Sequence, residues 1–196
     1  MLRAVLFDAD GVVQQNPPAW FDDLHALVPA GQGRAFVDDI FATEKEAMTG
    51  ARSFRDVLDE VAARWPVTGS VDELIGHWRR IEVCSATVEL VRELRRTGVR
   101  CYLATNQHAY RAAAMADLGY RDLFDGSFYS CDLGATKSEP AFFTAVLEHL
   151  DVPADEVLLV DDAEEYVETA RRCGLRAVRW SIDDGIEKLR AALSLR

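Results

Sequence analysis

The chain has 196 residues, 49% hydrophobic and 28% charged, enough apolar material for one core domain with an insert or for two small domains. Lysine and arginine total 22 against 33 aspartates and glutamates, a formal net charge of −11. So acidic a chain repels a polyphosphate backbone, which argues against nucleic-acid binding as a main role; it leaves room for a small phosphorylated substrate, because a bound divalent cation reverses the local field.

The compact apolar run Ala4–Phe7 ends at Asp8 and reads as a buried parallel strand, whose residues need not alternate. Gly11 marks a turn directly after it. The character then changes. Apolar residues recur at helical spacing in Trp20-Phe21-Leu24-Leu27, Phe36-Ile40-Phe41, Phe54-Val57-Leu58-Val61-Trp65 and Val71-Leu74-Ile75-Trp78. Breaks fall at Pro17-Pro18, Pro29 to Gly33, Gly50 and Pro66 to Gly69, and no strand stands out. At this spacing Trp20, Phe21 and Trp65 are expected to be core residues rather than substrate stackers.

From Ala86 onward helices and strands alternate. A helix is predicted over Thr87–Arg96, a strand over Val99–Ala104 and a helix over Ala109–Leu118 with Gly119 as its cap. Phe128-Tyr129 forms a short strand, and Pro140–Leu150 a helix with proline in its first turn. A strand over Val157–Val160, a helix over Glu164–Arg172, a strand over Ala177–Trp180 and a helix over Asp184–Leu193 complete the chain. Strands alternating with helices give an α/β fold with a parallel sheet. The first strand would be orphaned unless it joined that sheet. Residues 1–15 and 85–196 are therefore expected to form one α/β core, with residues 16–84 a helical module inserted into it.

No apolar run is long enough to span a bilayer, and the N-terminal stretch lacks a cleavage-site pattern, so a soluble cytoplasmic protein is expected. Cys84, Cys101, Cys131 and Cys173 contain no C-x-x-C pair and fit no zinc spacing; they read as small buried thiols of a reducing compartment.

In an open α/β sheet ligands bind beyond the carboxyl ends of the strands, and the polar residues there form a short list. Asp8 and Asp10 follow the first strand, Thr105 and Asn106 the second, and Asp161 and Asp162 a later one. Lys137 lies in a loop able to reach the same edge. Each has a plain structural reading: a strand-end aspartate can cap a helix or form a turn, and most lysines are solvated. The ordered set carries the argument. Converging carboxylates need a cation, and an oxygen-only set suits magnesium. A lysine and a threonine hydroxyl can hold phosphate oxygens, one carboxylate can attack to form an acyl phosphate, and a second, two residues on, can serve as general acid and then base.

The run Phe7-Asp8-Ala9-Asp10-Gly11-Val12-Val13 resembles the first motif, D-x-D-G-x-[VT], of the haloacid dehalogenase (HAD) superfamily. Thr105 resembles its second motif, Lys137 in Gly134–Pro140 its third and Asp161-Asp162 its fourth, in the same order over nearly the whole chain. The resemblance implies a Rossmann-like α/β core with the small helical C1 cap of subfamily I. It implies Asp8 as nucleophile, Asp10 as acid and base, Lys137 as charge partner and Thr105 as phosphoryl ligand. Magnesium would be bound by Asp8, the Asp10 carbonyl and Asp162. Two departures stand out. Ser138 replaces the first proline of K-P-x-P, and Tyr166 occupies a position often held by Asp or Asn, leaving Glu165 or Asp161 to hold an outer metal water. An aspartate at position 10 favours an oxygen leaving group over the halide of true dehalogenases. The implied activity is a magnesium-dependent phosphatase for a small phosphorylated metabolite. A sugar-phosphate mutase, a 2-haloacid dehalogenase and a catalytically degenerate binding protein are the alternatives; a two-component receiver fits poorly, because Lys137 comes before the Asp161-Asp162 pair and a helical insert follows the first strand. By the same resemblance the segment Glu46–Arg52 is the cap loop that reaches the site. Arg52 is then a candidate anion contact, and Asn106 and Gln107 are candidate pocket residues. Oligomeric state is not legible.

Overall fold

The computed structural model describes residues 2–193; residue 1 and residues 194–196 of the expected core segments lie outside them. The chain opens with β1 (Ala4–Phe7) and a two-residue β2 (Gln14–Gln15), followed by α1 (Trp20–His25), α2 (Gly33–Thr43), α3 (Lys45–Met48), α4 (Phe54–Arg64) and α5 (Val71–Trp78). β3 (Glu82–Val83) returns to β2, and α6 (Ser85–Arg96), β4 (Arg100–Thr105), α7 (Ala109–Met115), α8 (Arg121–Leu123), β5 (Gly126–Tyr129) and α9 (Ser130–Leu133) follow. α10 (Pro140–Leu150), β6 (Val157–Asp161), α11 (Glu164–Arg172), β7 (Arg176–Arg179) and α12 (Ile186–Ala192) complete it.

The main sheet runs β5-β4-β1-β6-β7, with every pair parallel. β1 is therefore central, and all four of its residues are buried, as a parallel strand covered on both faces requires. Val5 and Phe7 face one apolar cluster with Leu90, Val91 and Leu94 of α6; Ala4 and Leu6 face the other, with Phe142, Phe143 and Val146 of α10. Phe7 lies opposite Leu103 and Val160. That register brings the residues just beyond β1, β4 and β6 to one edge, between the two strands that flank β1 on either side.

The five helices between β2 and β3 bury a third cluster that includes Trp20, Phe36, Ile40, Phe54 and Trp78. Their chain stops are locally encoded: Ser70 and Glu73 form a reciprocal capping box at the start of α5. Phe21 departs from expectation. It is 48% exposed and rests edge-on against Trp20 and Phe41.

Other differences follow from length. β2 and β3 pair antiparallel at the two ends of the helical module, and two residues carry no periodicity to read. The short α3, α8 and α9 escape for the same reason. The helix at Ala109 ends at Met115 and widens into a turn over residues 116–120, where Gly119 takes φ +87°. Trp180 leaves the last strand and ties down the following turn, its indole donating to the Gly185 carbonyl at 3.0 Å. All four cysteines are free; Cys101 is buried and the others are half-buried.

Candidate active site

Asp8 and Asp161 end their strands side by side, and the Lys137 ammonium donates to both, at 2.6 Å to Asp8 Oδ1 and 2.6 Å to Asp161 Oδ2. Lys137 is 1% exposed. Burial works against its charge, but the two carboxylates outweigh burial and hold it above the usual lysine range. Burial also pushes Asp8 up to about 6; the Lys137 charge opposes this, and the Asp161 charge adds to it. The Lys137 backbone is pinned as well, its N–H donating to Asn106 Oδ1 at 2.8 Å. Tyr166 lies with its ring 4.8 Å from the ammonium and its hydroxyl bonded to Asn106. It therefore confines Lys137 by a cation–π contact rather than standing in for a metal ligand.

Asp10 sits in the turn after β1 and accepts four hydrogen bonds. Gln14 Nε2 and Gln107 Nε2 donate at 3.1 and 2.6 Å, and Arg111 forks over both oxygens, with Nη2 at 2.5 Å and Nε at 3.3 Å. Arg111 is 4% exposed and also donates to the Trp78 carbonyl at 2.9 Å and to Asn16 Oδ1 at 3.1 Å. One guanidinium thus joins the end of α5 to the carboxylate after β1.

Asp8, Asp161 and Asp162 bring carboxylate oxygens within 4.8 Å of one another. Asp161 also accepts from Lys137 and, at 3.0 Å, from the Ala163 N–H. Glu165 is exposed and lines an outer cavity. Asp8 and Asp162 are an oxygen-only pair that fits a magnesium ion, which takes one or two carboxylates and keeps waters. Gly11 makes their approach possible. Its φ is +83°, and a Cβ there would lie 2.5 Å from Asp162 Oδ2. Gly11→Ala is expected to cost about 1–3 kcal/mol of stability from backbone strain and to weaken magnesium binding by displacing Asp162; thermal melts and calorimetry check the two effects.

Thr105 closes β4 at 2% exposure, in register with Tyr129. The Arg52 guanidinium pairs with Glu46 at 3.1 Å and with Glu60 at 2.9 Å, both on the helical module. The loop reaches the core. A Cβ on Gly50 would lie 2.4 Å from the Cys131 carbonyl, and Met48 lines the space above Asp10.

That space is an inner cavity of about 230 Å³, walled on its apolar side by Trp20, Phe41, Met48 and Trp78. An outer cavity of about 640 Å³ shares Phe41, Glu44, Met48 and Asn106 with it. Two residues here were missed in the sequence and carry a readable signal. Arg111 lies on the buried stripe of α7 with Ala114 and Met115, and Glu44 continues the stripe of Phe36, Val37 and Ile40 at the end of α2. A charge on an apolar stripe is buried for a reason.

A parallel core opened after its first strand to admit a helical module, with its carboxylates gathered at the carboxyl edge, places the chain among α/β enzymes of the Rossmann-like kind. The model of the haloacid dehalogenase-like hydrolases matches residues 2–174, and the chain belongs to that family. It is 38% identical over 87 residues to the sesquiterpene phosphatase astK of Aspergillus oryzae; that match spans 44% of this chain and 44% of that protein's own length. It is 28% identical over 198 residues to the phosphoglycolate phosphatase of Rhodospirillum rubrum, covering 92% of this chain and 80% of that protein. A variant of the HAD family enzyme BT-2542 of Bacteroides thetaiotaomicron, solved with magnesium and inorganic phosphate, superposes with a TM-score of 0.79 at 16% identity over 91% of this chain and 94% of its own. That last likeness is one of fold.

Proposed function

We propose that the chain is a phosphoric monoester hydrolase that works through an aspartyl-phosphate on Asp8, with residues 16–84 as the cap over the site. The observation that carries this reading is the buried Asp8–Lys137–Asp161 cluster, with Asp10 two residues from Asp8. Lys137 fixes Asp8 by a 2.6 Å contact, so the other carboxylate oxygen is free to attack phosphorus, and the P–O bond to the leaving group breaks as the new one forms. The lysine charge also meets the negative charge that grows on the phosphoryl oxygens, and Thr105 would donate its hydroxyl to them. Asp10, once protonated, would give a proton to the departing oxygen and then take one from the water that attacks the aspartyl-phosphate. Arg111 and Gln107 hold its carboxylate in place. Magnesium, held by the Asp8 and Asp162 carboxylates and the Asp10 carbonyl, would supply a Lewis acid that draws charge from the phosphoryl oxygens.

An oxygen leaving group is favoured over a halide because Asp10 has no part to play in halide departure. The names of the Rhodospirillum rubrum and Aspergillus oryzae relatives support the same reading. Hydrolysis of p-nitrophenyl phosphate is the direct test. Activity is expected with magnesium, to fall to background with excess chelator and to return when magnesium is restored. Release of halide from 2-chloropropionate without phosphatase activity overturns the reading.

A further inference from the structure

Asp8, Lys137 and Thr105 would hold the phosphoryl group; the leaving group would meet other residues. The inner cavity of about 230 Å³ lies below the roughly 300–1,000 Å³ of sites for drug-sized ligands, so the group that enters is small. Arg111 is the one cation among its lining residues, and that cation is committed. Four of its five N–H groups already donate, to Asp10 twice, to Trp78 and to Asn16, and the Asp10 carboxylate meets its charge. A carboxylate or second phosphate lodged there would find no uncommitted cation, and burying an uncompensated anion is strongly unfavourable. The outer cavity adds one cation, Lys45, against the carboxylates of Glu139 and Glu165.

Glu44 decides the rest. It is 3% exposed and lines both cavities. Behind it the His108 ring stacks on Phe54 at 3.7 Å between centroids. His108 Nδ1 accepts from the Arg111 backbone N–H at 3.3 Å, which leaves the ring proton on Nε2, 3.5 Å from Glu44 Oε1 and without a hydrogen-bond partner of its own. Burial, helped by Arg111, holds His108 down at about 3, and burial pushes Glu44 up to about 8 against the pull of Arg111. Near neutral pH the two face each other uncharged. The Glu44 carboxyl also accepts from the Trp78 side chain; when neutral it keeps an O–H donor and a further acceptor site, the complement of a hydroxyl.

We infer that the inner cavity is a subsite for a small, uncharged, hydroxyl-bearing leaving group, with Glu44 as the residue that selects it. The substrate class is the phosphate monoester of a short polyol, whose C–H faces lie against the indole, phenyl and thioether walls. This rests on the phosphatase reading above. An alkyl leaving group leaves the Glu44 O–H without an acceptor; an anionic one lacks a cation. The chain therefore parts from its Rhodospirillum rubrum relative, named for an ester whose alcohol carries a carboxylate.

Matched substrates test this on the full chain with magnesium: hydroxyethyl phosphate against phosphoglycolate and against ethyl phosphate, and glycerol phosphate against phosphoglycerate. The hydroxylated neutral ester of each set is expected to have a kcat/KM at least about a hundredfold above its anionic partner. Glu44→Leu is expected to raise KM for hydroxyethyl phosphate at least about tenfold. The Ki of inorganic phosphate, which needs only the Asp8 end, should move less than about twofold. Glu44→Gln, which keeps a donor and an acceptor, recovers most of the loss, and Glu44→Lys narrows the gap to phosphoglycolate. Anionic or alkyl esters hydrolysed as well as the hydroxylated ones by the unmodified chain overturn the inference while leaving a phosphatase. So does Glu44→Leu with an unchanged KM. Hydrolysis of none of these esters, nor of p-nitrophenyl phosphate, overturns the phosphatase reading and this inference with it.

Discussion

Asp8→Asn is expected to abolish phosphate-ester hydrolysis, with kcat down at least about 10⁴-fold, and to raise the melting temperature of the metal-free protein. The first effect follows from chemistry: an amide oxygen forms no stable phosphoryl adduct, and no other carboxylate occupies its place against Lys137. The second follows from burial. Asp8 titrates near 6 in the fold against 3.8 for a free side chain. A carboxyl raised on folding binds its proton more tightly in the folded state, so the stability it contributes at low pH is lost as pH rises from about 3.8 through about 6. Above that range the folded chain carries a buried charge that asparagine does not have, while the amide oxygen still accepts from the Lys137 ammonium. Melts in chelator should therefore separate the variant from the parent by a few degrees at pH 7 and converge near pH 4. Loss of activity with a lowered melting temperature at pH 7 would point to a damaged fold rather than a missing nucleophile.

That Asp8 was identifiable from sequence owes much to the strand before it. Four apolar residues ending in an acid, then glycine, specify both a buried strand and where its polar edge begins. Thr105, Lys137 and Asp162 were legible in the same way, as polar residues at or near strand ends in a fixed order. The sheet followed from helix–strand alternation, and the first strand's membership of it from the need to pair Ala4–Phe7; its central place did not. What escaped lies on the helices. Arg111 and Glu44 are charged, and charged residues read as solvated by default; only their place on apolar stripes marks them as buried. Arg52 pairs with Glu46 and Glu60, partners that spacing along the chain does not display. Tyr166 reads as a poor metal ligand because the motif position it fills is a ligand position. Its position over the Lys137 ammonium is a tertiary contact across 29 residues of chain, with no local signature.

Lys137→Met should cost both activity and stability, and a second substitution can separate the two. The ammonium is buried between Asp8 and Asp161 at 2.6 Å from each, and methionine matches most of its volume without its charge. Two carboxylates are then left in an apolar setting without a counter-ion. Removing one partner from a buried ion pair costs roughly 3–5 kcal/mol, which for a chain of this length lowers the melting temperature by about ten degrees. Magnesium should restore part of that loss, since its charge falls on Asp8 from the Asp162 side, so the variant's melting temperature should depend on magnesium more steeply than the parent's. Asp161→Asn added to Lys137→Met removes one of the two carboxylates left without the lysine and should recover most of the remaining stability. Activity should stay near background, because the charge that meets the phosphoryl oxygens is still missing. If the double variant melts as low as the single one, the lysine's contribution is instead the packing of its stem beneath Tyr166, and the buried charges at Asp8 and Asp161 are better hydrated than their burial implies.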